Sequence, residues 1–423
     1  MSRLGTVLTD VRPLRESAAY RRLWTGQAIS ALGQQMSLVA VAYEVYRLTH
    51  SSFAVGLVGL AGLLPLVLGG LYGGALVDAF DRRRVTLLSA VGLWTCSLAL
   101  VVHAALQVRS VGVLYTIVAV QAVMFAINSP ARAAMLPQLL PTSLLPAANA
   151  LGMAATNLAF TLGPLLGGVL IAWRGPEAAY VTDAVLFVAA LYSAVRLPPL
   201  PPAVKQPVPG LRSVVEGLSF LRQAPNVRMT FVIDLCAMVF AQPRALFPAL
   251  ALTVFATGPS TLGVLQAAPG VGAVVAFAVS GWISRVHRHG LAVMVAVLGY
   301  GACVALGGLA AVTDAHVGGS LLLWCCVAFL AGSGAADMVS AAYRSTILQT
   351  AAPDEMRGRM QGVFIVVVAG GPRLGDFVIG SLAALTGEQW AMTIGGLLCI
   401  AGTLTAVAGQ RRFLSYDARQ PSP

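Results

Sequence analysis

Apolar runs of membrane-crossing length follow one another along almost the whole 423-residue chain, and no other feature limits its fold as strongly. A helix crosses a bilayer with about 20 apolar residues, satisfying its backbone polar groups within the segment. Runs separated by charge or by Pro/Gly punctuation predict twelve such helices. Their approximate spans are 24–46, 52–77, 84–106, 111–131, 148–172, 177–195, 228–255, 260–284, 290–313, 318–342, 361–386 and 390–410. Only 10% of the residues are charged, against roughly 25% in a soluble domain. Disorder, a coiled coil and a secreted disulfide scaffold are thereby excluded. Strand-type alternation is absent, which argues against a β-barrel. The predicted class is an all-α integral membrane protein with two pseudo-symmetric six-helix bundles.

The net charge of +11 would point to nucleic acid on a soluble chain. Here the charges record topology instead. With the N-terminus on the cytoplasmic side, the inside segments hold 22 Lys/Arg. The outside loops hold three, Arg47, Arg109 and Arg174, and Arg244 and Arg373 fall within spans. This asymmetry predicts both termini in the cytoplasm and a multi-pass protein of the cell's inner membrane. No nucleic-acid partner is expected. The first 22 residues are polar and basic, which predicts a cytoplasmic tail and not a cleaved signal. The six cysteines lie in apolar runs without metal-ligand spacing and read as small buried hydrophobes.

Residues 198–209, PPLPPAVKQPVP, predict an extended linker. Leu211, Val214, Val215, Leu218 and Leu221 then share one helical face, as in a helix lying on the membrane surface. The predicted organisation is a tail (1–22), a first bundle (23–195), a linker with its interfacial helix (196–227), a second bundle (228–410) and a tail (411–423). The halves repeat. Arg132, Leu136 and Pro141 align with Arg344, Leu348 and Pro353 at an offset of 212 residues, as do Gly163 and Gly168 with Gly375 and Gly380. Gly56 and Gly74 match Gly263 and Gly281 at an offset of 207. Two parallel repeats of six spans are the architecture of one large class of secondary transporters.

The loop after span two reads GGALVDAFDRRRV from Gly73. Gly74, Asp78, Arg82 and Arg83 have the spacing of the cytoplasmic loop motif of the major facilitator superfamily, which this chain resembles. Ala79 departs from it where the family usually has Arg, and the second half's equivalent loop lacks the acids. The resemblance implies a gating latch formed by Asp78, Asp81 and Arg82–Arg84, with Arg132 and Arg344 acting likewise below spans four and ten. Span five carries Ala159-x-x-x-Gly163-Pro164-x-x-Gly167-Gly168. Small residues permit close helix contact and proline loosens the backbone ladder. The pattern also resembles the motif of the superfamily's antiporter branches. Segments 48–57, 197–225, 244–251 and 347–363 resemble the enterobactin (siderophore) exporter branch, with macrolide efflux pumps as further relatives. The resemblance implies export by alternating access, driven by the proton motive force without ATP or any cofactor.

Charges at membrane depth cost several kcal/mol unless paired or hydrated, so each is a functional candidate. Glu44 and Asp183 read as lying near the outer face, and Asp234 and Asp337 toward the ends of spans seven and ten. Arg244, between Pro243 and Pro248, sits deeper, where a guanidinium facing a cavity attracts an anionic or carbonyl-rich substrate. Arg373 and Asp376, three residues apart on span eleven, are placed to pair on one face. The candidates for substrate binding or proton coupling are therefore Arg244, Arg373, Asp376, Asp234 and Asp337. No HExxH, GxSxG or P-loop is present, so no catalytic residue, metal ligand or enzyme activity is expected. The expected partners are a small-molecule substrate and the lipid bilayer, and the expected state is a monomer. The expected function is proton-coupled export of a siderophore or similar amphipathic molecule; the alternative is a multidrug or macrolide proton antiporter.

Overall fold

The computed structural model describes residues 10–201, 219, 221–317, 320–351, 354–417 and 419. Within them, the side chains of 71–75, 77, 78, 284, 315–317, 354–366, 368 and 369 are not described. The described chain is helical throughout. Its long helices are α1 (Ala18–Thr49), α2 (Ser52–Ala79), α3 (Arg82–Ala105), α4 (Val111–Leu139), α5 (Leu145–Arg174) and α6 (Pro176–Val195) in the first half. The second half has α7 (Pro225–Phe240), α8 (Pro259–Ala278), α9 (His289–Val317), α10 (Ser320–Ala351), α11 (Asp354–Thr386) and α12 (Glu388–Gly409). Ten of these segments, all but α1 and α11, are long and apolar enough to cross a membrane. α1 dilutes its apolar surface with Gln27, Ser30, Gln34, Gln35, Ser37 and Glu44. The Pro-rich linker beyond Pro201, and the amphipathic stretch apart from Ser219, Leu221 and Arg222, lie outside the described residues.

The chain forms two compact units. One comprises residues 1–41 and 64–208, the other residues 42–63 and 209–423. The tip of the first helical hairpin, the end of α1 and the start of α2, thus packs with the second-half helices. Pro65 lies inside α2 at the point where it passes from one unit to the other. A proline there removes a ladder hydrogen bond and lets the helix bend. In the second unit the hairpin tip is held by Tyr46 and Thr253, whose hydroxyls are 3.3 Å apart, and by the Ser52 hydroxyl, which donates to Glu388 Oε1 at 3.2 Å.

The repeat seen in the sequence recurs in the packing. Gly163 on α5 lies against Gln35 of α1, and a Cβ at Gly163 would strike that side chain. Gly375, 212 residues on, lies against Gln242 and the Met238 carbonyl at the end of α7. Gln242 is itself 207 residues beyond Gln35. The same Gly–Gln contact is therefore built twice, where no larger side chain fits.

The structure bears on two expectations. Span seven is not one helix: α7 ends at Phe240, and a 3-10 turn (Arg244–Leu246), a short turn (Phe247–Ala249) and a π segment (Leu250–Val254) follow. Pro243 and Pro248 cannot donate to the ladder, so the helix opens between them. Arg132 and Arg344 are not in loops. α4 runs on to Leu139 and α10 to Ala351, placing both arginines within helices, where each has a buried Nε without a partner. Removing them leaves 20 cytoplasmic charges against 3, so the asymmetry survives. Asp376 feels the charge of Arg373 on its own helix and also that of Arg244.

Candidate functional site

In the second unit, α7, the turn that follows it, α10 and α11 carry three acids and three arginines. Asp234 is ten residues into α7 and 4% exposed. Arg344 on α10 forms an ion pair with it and also reaches back along its own helix to Asp337, at 3.3 Å. The guanidinium fork suits this double role, because its donors point in fixed, divergent directions. Asp337 is the more open partner, its side chain 42% exposed against 6% for Asp234. The sequence puts Asp234 and Asp337 toward the ends of spans seven and ten and Arg344 in a gating role below span ten; the structure joins them in one network.

The break after α7 builds the other end of the site. Tyr300 on α9 donates its hydroxyl toward the Ala241 carbonyl and Gln242 Oε1, both at 3.1 Å. Ala241 and Gln242 are the residues the interrupted helix leaves exposed to unmet hydrogen bonding, so Tyr300 stitches the gap. Sequence reading missed Tyr300; a lone tyrosine in an apolar run carries no signal of its own. Arg244 follows the break. Its side chain is exposed, unlike the residues that flank it, and it is near enough to act electrostatically on Asp337, Asp376 and Tyr300.

Asp376 lies on α11 with a buried Oδ1 that has no hydrogen-bond partner. Arg244 exerts the larger field on it, and Arg373 the smaller. Asp376 thus feels two cations, one from its own helix and one from the turn after α7. Behind it, Gly59 of α2 packs against the Arg373 carbonyl, where a Cβ would be 2.7 Å away, and 3.1 Å from Asp376 Cβ. The hairpin tip therefore rests directly on the turn that bears Arg373 and Asp376.

The loop motif has a structural role. Asp81 caps α3, its Oδ1 accepting from the backbone of Arg83 at 2.8 Å and Arg84 at 3.3 Å. Its Oδ2 accepts from the Leu200 backbone N–H at 3.2 Å, and the Arg82 N–H donates to the Leu200 carbonyl at 3.1 Å. Arg82 and Arg83 donate to the carbonyls of Ala134 and Val195. This cluster fastens the start of the linker to the first unit, with Leu197 and Leu200 buried beside Leu23 and Met135. The side chains of Gly74 and Asp78 lie outside the described residues. In the antiporter-type motif, Gly163 and Gly167 seat α5 on Gln35 and Met36 of α1, and Pro164 and Gly168 are buried beside them.

The first unit also holds a buried acid, Asp183 on α6, which is 1% exposed. Ser37 and Ser97 each donate a hydroxyl to its Oδ2 at 2.8 Å. It lies within a three-helix contact, with its donors supplied by α1 and α3. Glu44 is likewise buried, at 4% exposure.

Comparison with known proteins agrees with this architecture. The chain is 28% identical over 420 residues to the enterobactin exporter EntS of Citrobacter koseri, covering 98% of this chain and 97% of that protein. It is 27% identical over 410 residues to EntS of Salmonella typhimurium, covering 96% of each. Among solved structures, the nucleoside transporter NupG matches with a TM-score of 0.73 at 12% identity, over 92% of this chain and 98% of that one. A bacterial homologue of the iron transporter ferroportin, in an inward-facing state, matches with a TM-score of 0.69 at 14% identity, over 94% and 98%. Residues 8–421 match the model of the transmembrane secretion effector family. The chain is a membrane transporter of the major facilitator superfamily, not an enzyme, and belongs to the transmembrane secretion effector family.

Proposed function

We propose that the protein exports a siderophore or similar amphipathic small molecule across the inner membrane in exchange for protons, by alternating access, with both termini in the cytoplasm. The observation that carries this reading is the cluster of three arginines and three acids in the second unit. As formal charges the six groups cancel. Arg244 presents an exposed guanidinium for substrate carbonyls, and Asp376 presents an oxygen with no internal partner. A substrate hydroxyl donating to Asp376 would compete with a proton for the same oxygen. Protonation from the outer side would then remove the acceptor and release the substrate, which is the ordering that antiport requires. The similarity to enterobactin exporters along nearly the full chain supports this substrate class.

The test is a deletion strain assayed for secreted siderophore, joined to proteoliposomes holding the purified protein. Enterobactin movement driven by an imposed pH gradient, collapsed by a protonophore, is the expected result. Unchanged siderophore secretion with raised sensitivity to macrolides or ethidium would replace the reading with a drug antiporter. Efflux indifferent to the gradient would remove the proton from it.

A further inference from the structure

The proton-exchange reading uses only acids of the second repeat, yet the first repeat contains an acid buried more deeply than any of them. We infer that Asp183, with Ser37 and Ser97, is a second proton-binding site, which loads and unloads a proton in the transport cycle. The inference rests on the proton-coupled reading for its role and on geometry for its existence.

Asp183 lies seven residues into α6, about 10 Å along the helix, with 1% of its surface exposed. Both hydroxyl donors converge on Oδ2, and Oδ1 is buried with no partner. Its neighbourhood offers no charge to offset a carboxylate. α1 contributes Gly33 and Ser37, with Glu44 two turns further on. α3 contributes Ser97, with the Cys96 thiol beside it and His103 six residues along. The one charged residue of α5 is Arg174 at its far end, and α6 adds Glu177 and Tyr180. An isolated charge in such surroundings is costly, and a bound proton removes that cost without disturbing the two serine bonds. The orphaned Oδ1 is the atom left free to take it.

Two further observations give the site a part in transport. Ser37 sits four residues before the point where α1 passes from the first unit to the second. Any change in the packing of the hairpin tip therefore pulls on a helix that supplies one of the two donors. The repeat also relates Ser37 to Arg244 by the offset of 207 that relates Gln35 to Gln242. At the same register, Ser37 donates to Asp183 in one half and Arg244 acts electrostatically on Asp376 in the other. Gly33 closes the site, since a Cβ there would lie 2.8 Å from Oδ1.

The test is infrared titration of the full-length protein in lipid, following the carbonyl stretch of protonated carboxyls. Expected is a band that disappears in Asp183→Asn, persists in Asp376→Asn, shifts in frequency in Ser37→Ala and in Ser97→Ala, and loses intensity as the pH is raised. If Asp183→Asn removes no band, the group is ionised throughout and the inference is wrong. If the band stays constant at every pH at which the protein is folded, the acid is a fixed structural group and the inference is equally wrong. Because this readout needs no transport, a titrating band together with gradient-independent efflux would refute proton coupling while leaving the site in place.

Discussion

Replacing Arg344 by methionine removes the cation between Asp234 and Asp337 while keeping most of the side-chain length. The two acids should respond unequally. Asp234 has a 6% exposed side chain and would be left as an uncompensated buried charge. Breaking a buried pair from one side costs about 3–5 kcal/mol. Asp337, 42% exposed, is screened by solvent, and its share should be about 0–1 kcal/mol. The Nε of Arg344 is already buried without a partner, so methionine relieves a small cost there. For a unit of 150–250 residues, 1 kcal/mol moves the midpoint by roughly 2–4 °C, so the single variant should melt on the order of 10 °C lower. Adding Asp234→Leu should recover most of that loss, because an apolar pair of similar volume replaces a buried ion pair at little cost. Asp337→Asn alone should move the midpoint by no more than about 2 °C. The assay is thermal unfolding of the purified protein in one detergent, read as a double-mutant cycle. If Arg344→Met and the double variant melt at the same temperature, Asp234 and Arg344 are not coupled and the reasoning fails.

Arg244→Ala should leave stability within about 0.5 kcal/mol, since the side chain is exposed, while lowering enterobactin efflux several-fold; equal loss of melting temperature and efflux would contradict a contact role. Asp376→Asn should abolish the dependence of efflux on the imposed pH gradient at unchanged protein level, as measured in proteoliposomes. Gly375→Ala drives a Cβ into the Met238 carbonyl and should cost about 1–3 kcal/mol, visible as a lower midpoint; a neutral result would mean α7 and α11 separate at no cost. Asp81→Ala loses the α3 cap, worth about 1 kcal/mol, and the Leu200 bond. Limited proteolysis should then cut near the linker faster, whereas Asp81→Asn, which keeps an accepting oxygen, should be spared.

The span pattern was legible because a bilayer imposes one length and one polarity on every crossing. The repeat was legible because Gly163 and Gly375 each admit no Cβ, so packing holds the residue type at both positions. The broken helix could be expected from Pro243 and Pro248, whose missing N–H groups are local facts. The charge network was not. Asp234 and Arg344 are 110 residues apart, and nothing in either helix's periodicity says that α7 and α10 meet there. Arg132 and Arg344 were placed in loops because a cation normally stops a span; Arg344 continues inside one because two acids accompany it. Asp183 looked peripheral when counted from the end of its own helix, and its donors come from positions 86 and 146 residues away.

These misplacements share a cause that bears on mechanism. Hydropathy along one helix reports how a residue meets lipid or water, whereas Asp234, Arg344 and Asp183 each meet another helix. On the proposed alternating access, such contacts differ between states, because elements that slide past one another exchange partners while lipid-facing surfaces keep theirs. Gly59 shows how little slack the arrangement leaves. With the Arg373 carbonyl 2.7 Å from where its Cβ would be, the hairpin tip cannot leave α11 without changing the surroundings of Asp376. On the proposed proton exchange, protonation of Asp376 and movement of the hairpin are coupled equilibria, and by linkage each biases the other equally. Gly59→Ala, which pushes the two helices apart, should therefore alter the pH dependence of efflux as well as its rate. A pure rate effect with an unchanged pH profile would separate the hairpin from the acid.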